Sequence, residues 1–227
     1  MDKGKLIVIE GLDGSGKATQ TGLLCNRLAE ERGKTFRRVS FPDYDDPSSA
    51  LVKLYLGGEL GGLSDISPYG ASLFYTVDRY ASYLRHWGED YRKGTLIVAD
   101  RYATSNVAHQ MSKLPKPDWD GYLAWLEETE YQKVGIPRPD LVVYLDMAPE
   151  TSRKLLSHRY HGDESKKDLH EADFAYLLQC REAALYGAEK LGWRVIRCCD
   201  GEKPYPPDEI AEQVWQAVAP ALKGEQP

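Results

Sequence analysis

Apolar residues fall along this chain in two kinds of run. Four short, unbroken runs rich in Val, Ile and Leu stand at Leu6 to Ile9, Leu96 to Ala99, Leu141 to Leu145 and, more briefly, Arg194 to Arg197 around Val195 and Ile196. Runs without polar alternation suit parallel strands covered on both faces, so these are expected as central strands. A fifth candidate, Phe36 to Phe41, is more polar and is expected nearer an edge. Between them, apolar positions recur with helical period over Gly16 to Arg32, Ser48 to Leu56, Pro68 to Tyr91, Trp119 to Val134, Pro149 to Leu156, Glu171 to Lys190 and Asp208 to Leu222.

Strands that alternate with helices imply βαβ units and a doubly wound parallel sheet, with ligands gathered at the carboxyl ends of the strands. The expected fold is therefore α/β, a five-stranded parallel sheet flanked by helices, forming one domain over 1–227. Ser157 to His170, SHRYHGDESKKDLH, mixes both signs of charge without a sustained apolar period and reads as a solvated, mobile lid. The tail after Leu222 is expected to fray.

Composition narrows the function classes. A formal net charge of -6 gives no global positive field, which argues against a nucleic-acid polymer or an anionic membrane as partner. The apolar run in MDKGKLIVIEG is too short for a signal peptide, and no segment reaches the roughly 18 apolar residues of a membrane span. A cytoplasmic location is expected. Cys25, Cys180, Cys198 and Cys199 show no CxxC spacing, so reduced thiols are expected.

The strongest chemical signal is GLDGSGK at 11 to 17, which fits GxxxxGK directly after an apolar run and before a helical pattern. Gly11, Gly14 and Gly16 let the backbone aim its N–H groups at phosphate oxygens, and Lys17 brings a point charge to the β and γ phosphates. A plain glycine turn ahead of a helix would need neither the lysine nor this spacing. The segment Gly11, Leu12, Asp13, Gly14, Ser15, Gly16, Lys17, Ala18, Thr19 is thus the expected ATP-binding loop of a P-loop NTPase fold. Ala18 stands where such loops carry the Ser or Thr that ligates magnesium, and Thr19 is rotated by about 100° on a helix. Magnesium is then expected on phosphate oxygens, water and the carboxylate of Asp13 or Asp100.

The loop alone names no reaction, because GTPases, motors and kinases share it. The ordered set GLDGSGKAT, FPDYDDP at 41 to 47, LFYTVDRY at 73 to 80, ADRYATSN at 99 to 106, PRPDLVVYLD at 137 to 146, PET at 149 to 151 and DLHE at 168 to 171 resembles the thymidylate kinase family. The likeness runs from Lys5 to about Trp193. It implies transfer of the γ-phosphoryl group of MgATP onto dTMP, giving dTDP on the way to dTTP, by a homodimer joined through helices. Two alternatives stay open: a kinase for another pyrimidine nucleoside monophosphate, and a non-catalytic nucleotide-binding module, which Ala18 favours.

On the residues themselves, Tyr75 and Arg79 stand four apart and share a helix face, so an aromatic ring can stack on a base while a guanidinium reaches its oxygen edge. Phe74 is the alternative stacker, and core packing is the competing role for both rings. Arg101 closes an apolar run and offers a two-pronged grip on an acceptor phosphate, with Asp100 beside it. By resemblance, Asn106 and Gln110 belong to the base-facing wall, with Phe41 near it. Asp13 would hold a deoxyribose 3'-hydroxyl or sit near the metal. Tyr44 replaces an arginine found in many members. The loop carries no arginine, so transition-state charge falls to the lid, with Arg159 first and Arg153 second; a solvated charge run is the plainer reading of each. The catalytic set read from the sequence is Lys17, Asp13, Arg101 and Arg159.

Overall fold

A computed structural model describes residues 3–32, 35–159, 174–201 and 203–223. The strands are β1 (Leu6–Gly11), β2 (Phe36–Ser40), β3 (Leu96–Asp100), β4 (Leu141–Asp146) and β5 (Arg194–Arg197). They form one sheet in the order β2-β3-β1-β4-β5, and every pair is parallel. β1 lies at the centre, with Leu6 to Ile9 against Ile97 to Asp100 on one side and Ile7 to Gly11 against Leu141 to Leu145 on the other. This is the doubly wound sheet expected from the apolar runs.

β2 takes an edge, as its two arginines suggest. β5 takes the other edge and corrects its expected central place, since only Ile196 of its four residues is buried. A run of this length cannot distinguish a covered strand from an edge one.

Alternate residues of β1 feed two separate cores. Leu6 and Val8 pack with Tyr144, Trp87, Tyr102 and the buried face of α8 (Phe174–Leu191), including Tyr176, Cys180 and Ala184. Ile7 and Ile9 pack with Leu24 and Leu28 of α1 (Lys17–Arg32) and with Ile210, Val214 and Val218 of α9 (Pro207–Lys223). Each aliphatic side chain so buried contributes on the order of 1.5–3 kcal/mol. Two apolar layers around the sheet fix the ends of β1 and β3, where the glycine loop and Arg101 begin.

The remaining helices are α2 (Ala50–Leu56), α3 (Pro68–Ser82), α4 (Gly88–Arg92), α5 (Ser105–His109), α6 (Trp119–Glu127) and α7 (Pro149–Arg159). The expected helix over Pro68 to Tyr91 is interrupted by one wide turn at Tyr83–Trp87, which carries Trp87 into the core. A second wide-turn stretch, Glu128–Val134, extends α6 and ends at Gly135 with φ 80. Wide turns of this kind displace side chains from the helical face they would otherwise share. Here Glu130 ends fully buried. All four cysteines are free and buried.

Candidate active site

The glycine loop forms where β1 passes into α1. Gly14 (φ 76) and Gly16 (φ 89) occupy the left-handed region that side chains disfavour. Gly14 is also crowded, since a Cβ there would lie 2.6 Å from Ser152 Oγ of α7. Ser152 Oγ donates to the Asp13 carbonyl, so the first turn of α7 is fastened to the loop. Lys17 opens α1 and turns back across it, donating to the Leu12 carbonyl at 2.8 Å and standing 3.8 Å from an Asp13 carboxylate oxygen. Burial, together with the Arg101 charge, pushes the Lys17 ammonium down to about 8, against the pull of Asp13.

Arg101, at the end of β3, has φ 67 although it is not a glycine. A side chain in that region needs surroundings that over-determine it, and such positions concentrate at working sites. The surroundings are explicit. Arg101 N donates to the Ile9 carbonyl at 3.1 Å. Buried Glu10 accepts from Tyr102 N at 3.1 Å, Thr104 Oγ1 at 2.6 Å and Ser105 Oγ at 2.7 Å, gathering the next four residues. Burial raises the Glu10 carboxyl, while Arg101 and these donors pull it down.

The Arg101 guanidinium is held from several sides. It pairs with Asp13 of the glycine loop, and its Nη1 lies 3.5 Å from Ser105 Oγ and 3.3 Å from His109 Nε2. A guanidinium only donates, so His109 Nε2 accepts. Burial opposes the Arg101 charge, but Asp13, Glu10 and Asp100 raise its pKa above the ordinary value, so it stays protonated.

These groups open onto one cavity of about 770 Å³. Its lining includes Asp13, Gly14, Gly16, Lys17, Ala18 and Thr19 from the loop end, then Phe41, Tyr44, Tyr75, Arg79, Asp100, Arg101 and Asn106. Tyr75 lines it and Phe74 does not; both rings also pack on Tyr55, with centroids 6.2 and 6.1 Å from it. Phe41 is buried with its ring 5.9 Å from that of Tyr102, whereas Tyr44 is half exposed at the rim. Gln110 lies fully buried one helical turn beyond Asn106, outside the lining.

Arg79 lines the cavity but does not stand free in it. Its Nη2 pairs with Glu130, and both side chains are almost completely buried. Burial works against the charge, and Glu130 outweighs it.

The family model for thymidylate kinase matches residues 9–198 of this chain. The chain belongs to the thymidylate kinase family. A thymidylate kinase of Solidesulfovibrio magneticus is 30% identical over 232 residues, covering 95% of this chain and 99% of that protein. One from Mycobacterium tuberculosis is 29% identical over 184 residues, covering 80% and 83%. The solved structure of thymidylate kinase from Candida albicans superposes with a TM-score of 0.72 at 23% identity, covering 98% of this chain and 94% of that one, which speaks for the fold.

For a member of the thymidylate kinase family, the carboxylates divide clearly. Asp13 faces Arg101 and Lys17. Asp100 lines the cavity, as Ala18 and Thr19 do, and Arg38 Nη2 stands 4.0 Å from its carboxylate. A carboxylate lining the cavity is a donor that magnesium could take, with water and phosphate oxygens completing its shell. Among the described residues, Asp43, Asp46 and His86 also have metal-ligand spacing, but none lines the cavity and Arg85 holds Asp46 at 2.7 and 2.9 Å.

The predicted lid is largely outside the described residues. The backbone of 157–159 continues α7, but residues 160–170, among them Lys166 and Lys167, and the Arg159 side chain lie beyond description. Arg153 lies over the Phe174 ring, 5.0 Å from its centroid. Glu10, His109, Glu130 and Ser152 were not singled out from the sequence. Glu10 and Ser152 stood beside motifs that were, while Glu130 lay in a helix with no neighbouring signal.

Proposed function

We propose that this chain, as a single domain, transfers the γ-phosphoryl group of MgATP to the 5'-phosphate of dTMP, giving dTDP and ADP, in the cytoplasmic supply of dTTP. An oxygen of the acceptor phosphate attacks γ-phosphorus as the bond to the bridging β,γ-oxygen breaks. The glycine loop and Lys17 hold the ATP phosphates. Arg101 offers two parallel donors to the acceptor phosphate once Asp13 yields one of them. Tyr75 stacks on the base, and Asn106 and Arg79 face its polar edge. Magnesium, held by Asp100 with phosphate oxygens, would neutralise charge on the transferring group. The reading rests on one observation: the triphosphate loop, the Arg101 fork and the Tyr75 wall open onto the same cavity.

The test is ADP release with MgATP and a panel of dTMP, dUMP, UMP, CMP, dGMP and AMP. Strong release with dTMP that collapses in Lys17→Ala supports the reading. Release that ignores every monophosphate would leave a nucleotide-binding module, the reading Ala18 favours.

Two copies are proposed to pair through α3. Tyr69, Leu73, Val77 and Tyr80, with Leu84 beyond, form an exposed stripe at helical spacing. The family resemblance supplies a second copy as its occupant. Sedimentation should give a dimer that Val77→Lys splits; a parent monomer at every concentration would remove the pairing. Among the described residues no helix is long and apolar enough to cross a membrane.

A further inference from the structure

The Arg79–Glu130 pair has a feature that packing alone does not require. Glu130 uses one oxygen, Oε1, to accept from both Arg79 Nη2 and Thr76 Oγ1, the latter at 2.7 Å. Its other oxygen, Oε2, has no hydrogen-bond partner, and neither has Arg79 Nε. A pair selected only to satisfy itself would meet fork to fork, with two parallel bonds. Here Glu130 takes one terminal nitrogen, and Arg79, which lines the cavity, keeps donors that Glu130 does not satisfy.

The neighbouring wall repeats this. Asn106 Nδ2 is buried without a partner, and so are both amide atoms of Gln110 one turn on. A buried donor without an acceptor is unfavourable until something supplies one. Arg79 and Asn106 both line the cavity, so a ligand can supply it.

Charge decides which ligand. An unpaired buried guanidinium would attract the most anionic part of a nucleotide, its phosphate. Glu130 cancels that charge at contact distance and fixes Arg79 by one terminal nitrogen. What remains is a directional donor on a locally neutral group, and its match is a neutral acceptor such as a ring carbonyl. An amino group at that ring position would set donor against donor, and the unfavourable contact falls on the wrong substrate.

We propose that Glu130 is a specificity-determining positioning residue: by neutralising and orienting Arg79, it converts a phosphate-seeking arginine into a reader of the keto edge of a pyrimidine. The proposal rests on the nucleoside monophosphate kinase reading above. It sets Arg79 apart from Arg101, the arginine proposed to grip the acceptor phosphate.

The experiment compares kcat and KM for dTMP and dCMP, and KM for ATP, in the parent, Glu130→Gln and Arg79→Met/Glu130→Met, alongside thermal melts. The double variant leaves no lone buried charge, and buried pairs replaced by apolar side chains of similar volume commonly keep the fold. Expected for Glu130→Gln is a dTMP KM raised about tenfold with kcat and ATP KM little changed, and a dTMP-to-dCMP preference in kcat/KM reduced about tenfold or more. The double variant should melt near the parent and lose the same preference. If Glu130→Gln does not fold, Glu130→Asp, which keeps the charge but withdraws it from Arg79, takes its place, and an unchanged dTMP-to-dCMP preference there overturns the proposal.

A purely structural pair would lower the melting temperature and scale both acceptors together. A preference retained in the folded variants overturns the role of Glu130 while leaving the kinase reading intact. A parent that turns over no pyrimidine monophosphate overturns both.

Discussion

The two cavity arginines that pair with carboxylates mark two regions built on opposite plans. At the loop end, Arg101 and Asp13 keep some exposure, 16% and 22% of their side chains, and Arg101 has several weak neighbours at 3.3–3.5 Å. At the far wall, Arg79 and Glu130 are sealed, at 2% and 0%, with bonds confined to one oxygen. An ion pair that water reaches can open and exchange its carboxylate for a phosphate. A sealed one cannot do so without stranding a buried charge, which costs on the order of 3–5 kcal/mol. On the proposed reading, equal residue types serve a charged group at one end and a neutral group at the other.

The comparison breaks most visibly at Lys17. Lys17→Ala removes the fixed charge at the loop end and should lower kcat/KM for ATP by about 10³-fold, while dTMP binding measured without ATP stays within about threefold. Next is Arg101→Lys, which keeps the charge but loses the fork. Acceptor-dependent turnover should fall about 100-fold, read by steady-state kinetics with dTMP varied.

Glu10→Gln sharpens the point that the loop end depends on a forced backbone. A glutamine NH₂ would meet one of three donors now served by the carboxylate, so stability should fall by about 2 kcal/mol in denaturant titration and turnover by about tenfold. Smallest is a pH effect. With Lys17 held at about 8, kcat/KM for ATP should stay level at lower pH and decline as pH rises through about 8. The stability of the empty protein moves the other way. The unfolded lysine keeps its proton up to its ordinary 10.5, so between the two values the unfolded chain binds more protons, and stability rises with pH there. Lys17→Met should lack that rise in thermal melts.

The same two regions explain what the sequence discloses. The loop end is made of backbone, and backbone geometry leaves local traces: glycines at 11, 14 and 16 and a lysine at fixed spacing after a buried strand. Even Glu10 sits next to that motif, although its partners lie more than 90 positions away. The far wall is made of side chains that meet across 51 positions of chain, and Glu130 reaches it through a wide turn that helical periodicity does not encode. Periodicity over Trp119 to Val134 predicts a helix correctly and says nothing of which way residue 130 points. β5 departs from its expected place for a related reason: four residues carry too little pattern to tell edge from centre. α5, with five residues from Ser105 to His109, left no helical period to find, and with it His109 went unnoticed.

Thymidine offers the most direct test of the division, because it carries the base and sugar of dTMP without the phosphate. Its inhibition constant against dTMP should be unchanged in Arg101→Lys and raised about tenfold in Arg79→Met/Glu130→Met, while the KM for dTMP rises in both. Thymidine inhibition weakened by Arg101→Lys, or untouched by the double variant, would contradict the assignment of one arginine to the phosphate and the other to the base.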